Sequence, residues 1–201
     1  MLTENELIKF RRELHSYPET GWCEFVTTHK IVEKLRSFGL DPIYGRQVIN
    51  PEFVAGRNPA KVEEAKKAAL EKGVPPEFIE SMQGYTGVAA IFETGRPGPV
   101  LAIRFDMDCV DVDEAHEAGH RPFDEGWAST NPGHMHSCGH DGHTTMGIAV
   151  CNWIQENLDQ FCGTIKVVFQ PAEEGVRGAR PMTETGIFDD VDFFFGNHLG
   201  F

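Results

Sequence analysis

The sequence predicts an α/β fold built on a mixed, mostly parallel sheet flanked by helices. Apolar β-type runs at 86–94, 99–105, 163–169 and 191–198 alternate with amphipathic helical patterns. Two of these runs, TGVAAIFET and PVLAIRF, flank Gly95-Arg96-Pro97-Gly98 and read as a hairpin, which makes the sheet mixed. With 40% hydrophobic and 24% charged residues, 201 residues suffice for one soluble domain with a core of its own.

The elements follow in order. Leu7, Ile8, Phe10 and Leu14 give helical spacing over 4–16, stopped by Tyr17-Pro18. Phe25, Ile31, Val32, Leu35 and Phe38 mark a second helix over 24–38, with Gly39 as its C-cap. A short strand is expected over 41–48. Residues 50–84 read as a helical insertion on the surface, with an Ala/Glu/Lys-rich helix over 59–72 and Pro75-Pro76 opening another. Residues 107–135 are expected to be mostly irregular, and a loop that long is usually functional. A helix from His140 to about Asn157, a buried strand over 163–169, a helix over 178–185 and a buried strand over 191–198 complete the pattern.

Bulk properties exclude some functions. The formal charge is −13, from 31 acidic and 18 basic side chains, the wrong sign for nucleic acid or an anionic membrane. No apolar stretch approaches the ~18 residues of a membrane span. The opening Met1–Glu6 has no basic or apolar leader character, and five scattered cysteines without a CxxC pair predict reduced thiols in a cytoplasmic setting.

The chemistry concentrates in four places. The first is His136-Ser137-Cys138-Gly139-His140-Asp141-Gly142-His143. Four of the nine histidines fall between 134 and 143, and thiolate, imidazole and carboxylate are the ligands of borderline divalent metals. Cys138 and His140 stand at a helix start, where N–H groups favour a thiolate. The second is Glu173-Glu174, just after the strand 163–169, where one carboxylate can hold a metal and the other carry a proton, or both can belong to a helix N-terminus. The third, His198, ends the strand 191–198, where a lone histidine is more often structural than a ligand. The fourth, Asp106 and Asp108, ends the strand 99–105; with Asp141 these acids are candidates to orient histidine ligands, or are turn acids. Their coincidence at one edge of one sheet is the signal.

These stretches, RRELHSYPETGWCEF (11–25), RFDMD (104–108), HSCGHDGHT (136–144), FQPAEEGVRGAR (169–180) and GNHLG (196–200), resemble the amidohydrolase branch of the M20 metallopeptidase superfamily. The insertion, the GRPGP turn and HRPFDEGWAS (120–129) are most similar to the A-subunit type of aminobenzoyl-glutamate hydrolases. The resemblance implies a zinc-peptidase-like catalytic domain. It also implies two divalent ions, Mn²⁺ or Zn²⁺, held by Cys138, His140, Glu174 and His198, with Cys138 bridging and Glu173 as general base. It implies hydrolysis of an N-acyl amino-acid amide by metal-bound water. Family members run to roughly twice this length, more than one small domain needs. Residues 1–201 are therefore expected to be the N-terminal part of that domain, incomplete at its C-terminus and without the dimerisation domain of a homo- or hetero-oligomer. Two rival readings are an inactive subunit or metal-binding fragment that needs a partner, and a thiol hydrolase using Cys138 with His140 or His143.

Overall fold

Thr3 starts the first helix. Its hydroxyl accepts the Glu6 N–H and the Glu6 carboxylate accepts the Thr3 N–H, a capping box that opens α1 (Glu4–His15) in the computed structural model. The structure describes residues 1–199; Gly200, which closes the GNHLG stretch, and Phe201 lie outside the described residues. α2 (Phe25–Arg36) has no side-chain cap of its own. Its leading N–H groups, on Val26 and Thr27, donate instead to the buried Glu19 carboxylate at 3.0 and 2.7 Å. β1 (Ile43–Tyr44) is shorter than the sequence suggests, because the chain leaves the sheet in a 3₁₀ turn whose Arg46 N–H is taken by the Met82 carbonyl.

α3 (Pro59–Glu71) and α4 (Pro76–Ser81) both open on proline, whose missing N–H has no partner to lose in a first turn. The segment 50–84 is not only a surface feature. Val62, Ala69, Val74, Phe78, Ile79 and Met82 are buried in the main core, so a narrow apolar stripe was enough to anchor it. The remaining elements are β2 (Val88–Glu93), β3 (Val100–Asp106), α5 (Arg121–Asp124), α6 (His140–Glu156), β4 (Thr164–Gln170), α7 (Ala179–Thr183) and β5 (Phe193–Gly196).

The five strands lie in the order β1-β2-β4-β3-β5. The hairpin expected between 86–94 and 99–105 does not form. β4 lies between β2 and β3, antiparallel to the first (Ala90↔Val167) and parallel to the second (Ile103↔Val167). β4 is buried from Ile165 to Gln170, and a strand apolar on both faces belongs at a sheet centre. The 95–99 turn wraps around the entry to β4: Gly163 donates to the Arg96 carbonyl, and a Cβ on Gly163 would sit 2.0 Å from the Pro99 oxygen. The sheet is mixed as expected, with two parallel and two antiparallel pairings. The last strand also differs: β5 covers only Phe193–Gly196, stands at the sheet edge and is exposed throughout rather than buried.

α6 packs across β3 and β4, with α1 and α2 against it. β3, β4 and β5 run parallel, so their carboxyl ends, at Asp106, Gln170 and Gly196, open on the same edge. The N-terminus of α6 arrives there with His140. Among the described residues no helix is long and apolar enough to cross a membrane.

Candidate metal centre

Two groups of donor atoms meet at this edge and share His140. One atom each from Asp106, His140, His143 and His198 lies within 4.8 Å of the others, and the same holds for His140, Glu173 and Glu174. The ring tautomers follow from their partners. His140 Nδ1 stands 2.8 Å from the Asp108 carbonyl and His198 Nδ1 2.6 Å from the Leu199 carbonyl, and a carbonyl can only accept. The two Nε2 atoms stand 3.1 Å apart. Two lone pairs at that distance repel unless a proton or a cation stands between them. Glu173 Oε2 and Glu174 Oε1 lie 3.7 and 3.9 Å from the same His140 Nε2. Burial opposes a charged His140 ring, yet Asp108 and Asp106 outweigh it and push the ring up to about 9. The donor set therefore fits a divalent cation.

His143 is committed on both sides. Its Nδ1 donates to Asp106 at 2.6 Å and its Nε2 accepts the Leu199 N–H at 3.0 Å, which ties the chain after β5 to α6. Cys138 lies outside both donor groups. The Glu174 carboxylate beside its thiol, and then burial, push it up to about 11. Asp141 turns away from the centre, toward Arg11 and His15 of α1.

The loop carrying the two glutamates is held by its backbone. The Glu173 and Glu174 N–H groups each donate 3.0 Å to one oxygen of the buried Asp108 carboxylate. The Ala172 N–H donates 2.8 Å to Glu24, another fully buried carboxylate, which burial and then the nearby Asp108 charge push up to about 8. Ala172 has φ +48°, a conformation alanine disfavours. The turn closes at Gly178, where a Cβ would meet the Pro171 oxygen at 1.6 Å.

Behind the centre lies a second polar cluster that no local pattern in the sequence singles out. His15 bridges Asp141 and Glu114 at 2.9 Å each, and Glu114 also takes His120 at 2.8 Å. Burial works against a charged His15, but the hydrogen bonds to Asp141 and Glu114 outweigh it and raise its pKa. Burial would raise Glu114, but His15, His120 and the Ser129 N–H outweigh it and lower it. The stability Glu114 contributes is present above its ordinary 4.5 and lost as pH falls through the lowered value. That of His15 is complete below its ordinary 6.5 and lost as pH rises through the raised value. A His15→Gln variant should therefore lose most stability, relative to wild type, between pH 4.5 and 6.5, with the gap narrowing on both sides. Urea unfolding from about pH 4 to about pH 9 measures it, and a gap constant across that range would contradict the charged cluster. His136, also buried, has neither ring nitrogen bonded among the described residues, and burial brings it down to about 4.

The sequence profile of peptidase family M20/M25/M40 matches residues 102–201. A homolog of the A subunit of p-aminobenzoyl-glutamate hydrolase, from Haemophilus influenzae, is 48% identical over 198 residues, 98% of this chain and 47% of the relative. The indole-3-acetyl-aspartic acid hydrolase of Enterobacter agglomerans is 44% identical over 97% of this chain and 45% of its own length. Among solved structures, an aminobenzoyl-glutamate utilization protein from Klebsiella pneumoniae superposes with TM-score 0.79 at 35% identity, over 98% of this chain and 44% of that one. A Bacillus subtilis protein described as a dinuclear metal binding peptidase from the M20 family does so with TM-score 0.72 at 29% identity, over 98% and 43%. The chain thus spans less than half the length of these relatives. The profile match begins inside β3 and runs through every donor residue, and the relatives are alike along nearly the whole of this chain: it belongs to peptidase family M20/M25/M40.

Proposed function

We propose that the protein is a metal-dependent amidohydrolase that cleaves an N-acyl amino-acid amide, with p-aminobenzoyl-glutamate as the first substrate to test. The observation that carries this is the pair of imidazole Nε2 atoms at 3.1 Å, with two glutamates beside them. In this reading Cys138, His140, Glu174 and His198 would hold two divalent ions, Mn²⁺ or Zn²⁺. Loading would require the Cys138 thiol, which the Glu174 carboxylate and burial push up, to release its proton. Bound ions supply Lewis acidity toward the scissile carbonyl and toward a water. Glu173 takes the water's proton and delivers it to the leaving amine. Arg104 stands 3.9 Å from Glu173 and 2.7 Å from Asp106, between the proposed base and the acid that holds His143. Asp106 and Asp108 orient His143 and His140 through their Nδ1 atoms.

The subsite chemistry comes from the relatives, whose names specify aminobenzoyl-glutamate and indole-acetyl-aspartate, both N-acyl acidic amino acids. The Haemophilus influenzae relative is named for one component of a hydrolase built from more than one kind of chain, which supports a whole protein that works as an oligomer with a partner. The Cys138 thiol hydrolase is disfavoured because the Glu174 carboxylate and burial push the thiol up, where a nucleophile needs a base that activates it. Metal removal separates the two. Dialysis of the whole protein against EDTA should abolish hydrolysis of p-aminobenzoyl-glutamate, and Mn²⁺ or Zn²⁺ should restore it. Activity that survives chelation and is lost on thiol alkylation would support the thiol enzyme instead.

A further inference from the structure

Glu24 is a buried acid that the proposed chemistry does not use. It stands at the N-cap of α2 but makes no cap hydrogen bond there. Its side chain crosses to the loop after β4, where Oε1 accepts the Ala172 N–H at 2.8 Å, while Oε2 accepts the Thr86 hydroxyl at 2.7 Å. The segment leading into α2 is pressed against the same loop, so that a Cβ on Gly21 would lie 2.9 Å from Ala172 Cα. Burying an acid with hydrogen bonds from one hydroxyl and one amide is unfavourable for packing alone, and a hydrophobic side chain would fill the space at less cost.

We infer that Glu24 is a positioning residue for the Glu173–Glu174 pair: its carboxylate fixes the loop by taking the Ala172 N–H. The inference rests on the reading of Glu173 as base. Ala172 sits at φ +48°, so its N–H cannot join a regular ladder and needs a partner from elsewhere. With Asp108 on the next two N–H groups, three successive amides, 172 to 174, are held by two buried carboxylates from different parts of the chain. The side chains of Glu173 and Glu174 are thereby left free to face His140. Without the Glu24 acceptor, Ala172 relaxes toward negative φ, the next peptide rotates and Glu173 swings with it.

Glu24→Met removes both acceptor oxygens at similar volume, and Glu24→Gln keeps one for the Ala172 N–H while its amide can donate to Thr86. In the whole, Mn²⁺-loaded protein, Glu24→Met should lower kcat on p-aminobenzoyl-glutamate by about 10²-fold with KM within about threefold, the loss expected of a ~1 Å misplacement. Glu24→Gln should stay within about fivefold of wild type in both constants. Independently of activity, amide hydrogen exchange at 172–174 should quicken by about tenfold or more in Glu24→Met and stay near wild type in Glu24→Gln. Wild-type exchange in Glu24→Met, or equal damage in both variants, overturns the inference. If Glu24→Met does not fold, Thr86→Val is measured instead, because it removes only the donor that orients Glu24. Faster exchange at Ala172 with lowered kcat supports the inference, and no change in either overturns it. Glu173→Gln is run beside them. If it retains turnover, the base assignment falls, while the exchange pattern still decides whether Glu24 positions the loop.

Discussion

A Glu173→Gln protein is expected to turn over p-aminobenzoyl-glutamate about 10³-fold more slowly than wild type, with metal content and KM little changed. Glutamine keeps the shape and the acceptor oxygen but cannot take a proton from water. The substitution leaves the loop intact, because the Glu173 anchor is its backbone N–H on Asp108, 3.0 Å away. The side chain is 30% exposed, so no buried partner is orphaned beyond Arg104, which keeps its 2.7 Å contact with Asp106 and its 2.8 Å bond to Gln170. A group that acts in the transition state lowers kcat and kcat/KM together, whereas a ligand would lower metal content first. Steady-state kinetics with metal analysis on the same sample read both. Turnover within about tenfold of wild type at full metal content would remove Glu173 from the base role. Loss of metal would move it into the ligand set beside Glu174.

The parts of this centre that were legible in the sequence were those that depend on residue type and strand polarity. Asp106, Glu173, Glu174 and His198 lie at or just beyond the carboxyl ends of three parallel strands, and His140 begins the helix that packs on them. Apolar runs mark such strands, and the chemistry follows them directly. Strand pairing was not legible in the same way. Two apolar runs around a Gly/Pro turn look like a hairpin whether or not a third strand comes between them, and the deciding fact, burial of β4 on both faces, is a property of the whole sheet. The strand 193–196 misled for a related reason, since three phenylalanines read as buried although they stand at an exposed edge. The supporting residues were the least visible. Glu24, His15 and Glu114 act across 148, 126 and 15 residues of sequence, on Ala172, Asp141 and Ser129, and no local pattern joins such pairs. His15 and Glu24 do lie in the RRELHSYPETGWCEF stretch, which marked them as part of a family pattern but assigned them no contact.

Asp108 gives the second large effect, and it acts without touching substrate. Its carboxylate is fully buried and accepts two backbone N–H groups, from Glu173 and Glu174, one on each oxygen at 3.0 Å. Asp108→Asn replaces one of these acceptors with an amide NH₂ that points a donor at a donor. One buried N–H then loses its partner, which is expected to lower folding stability by about 1–3 kcal/mol. The two glutamates also lose their common anchor, so affinity for Mn²⁺ or Zn²⁺ should fall about 10–100-fold, the usual consequence of disturbing a residue that orients ligands. The substitution keeps the anchor of His140, whose ring is held by the Asp108 main-chain carbonyl at 2.8 Å, and removes only the carboxylate charge 3.4 Å from the same Nδ1. Urea unfolding of the metal-free protein and calorimetric titration with each metal separate the two effects. If affinity is unchanged while stability falls, the glutamates hold their places through Glu24 and the rest of the loop, and Asp108 serves the fold alone. If both are unchanged, the two 3.0 Å contacts contribute nothing measurable, and the centre must be held by the histidines and by Asp106.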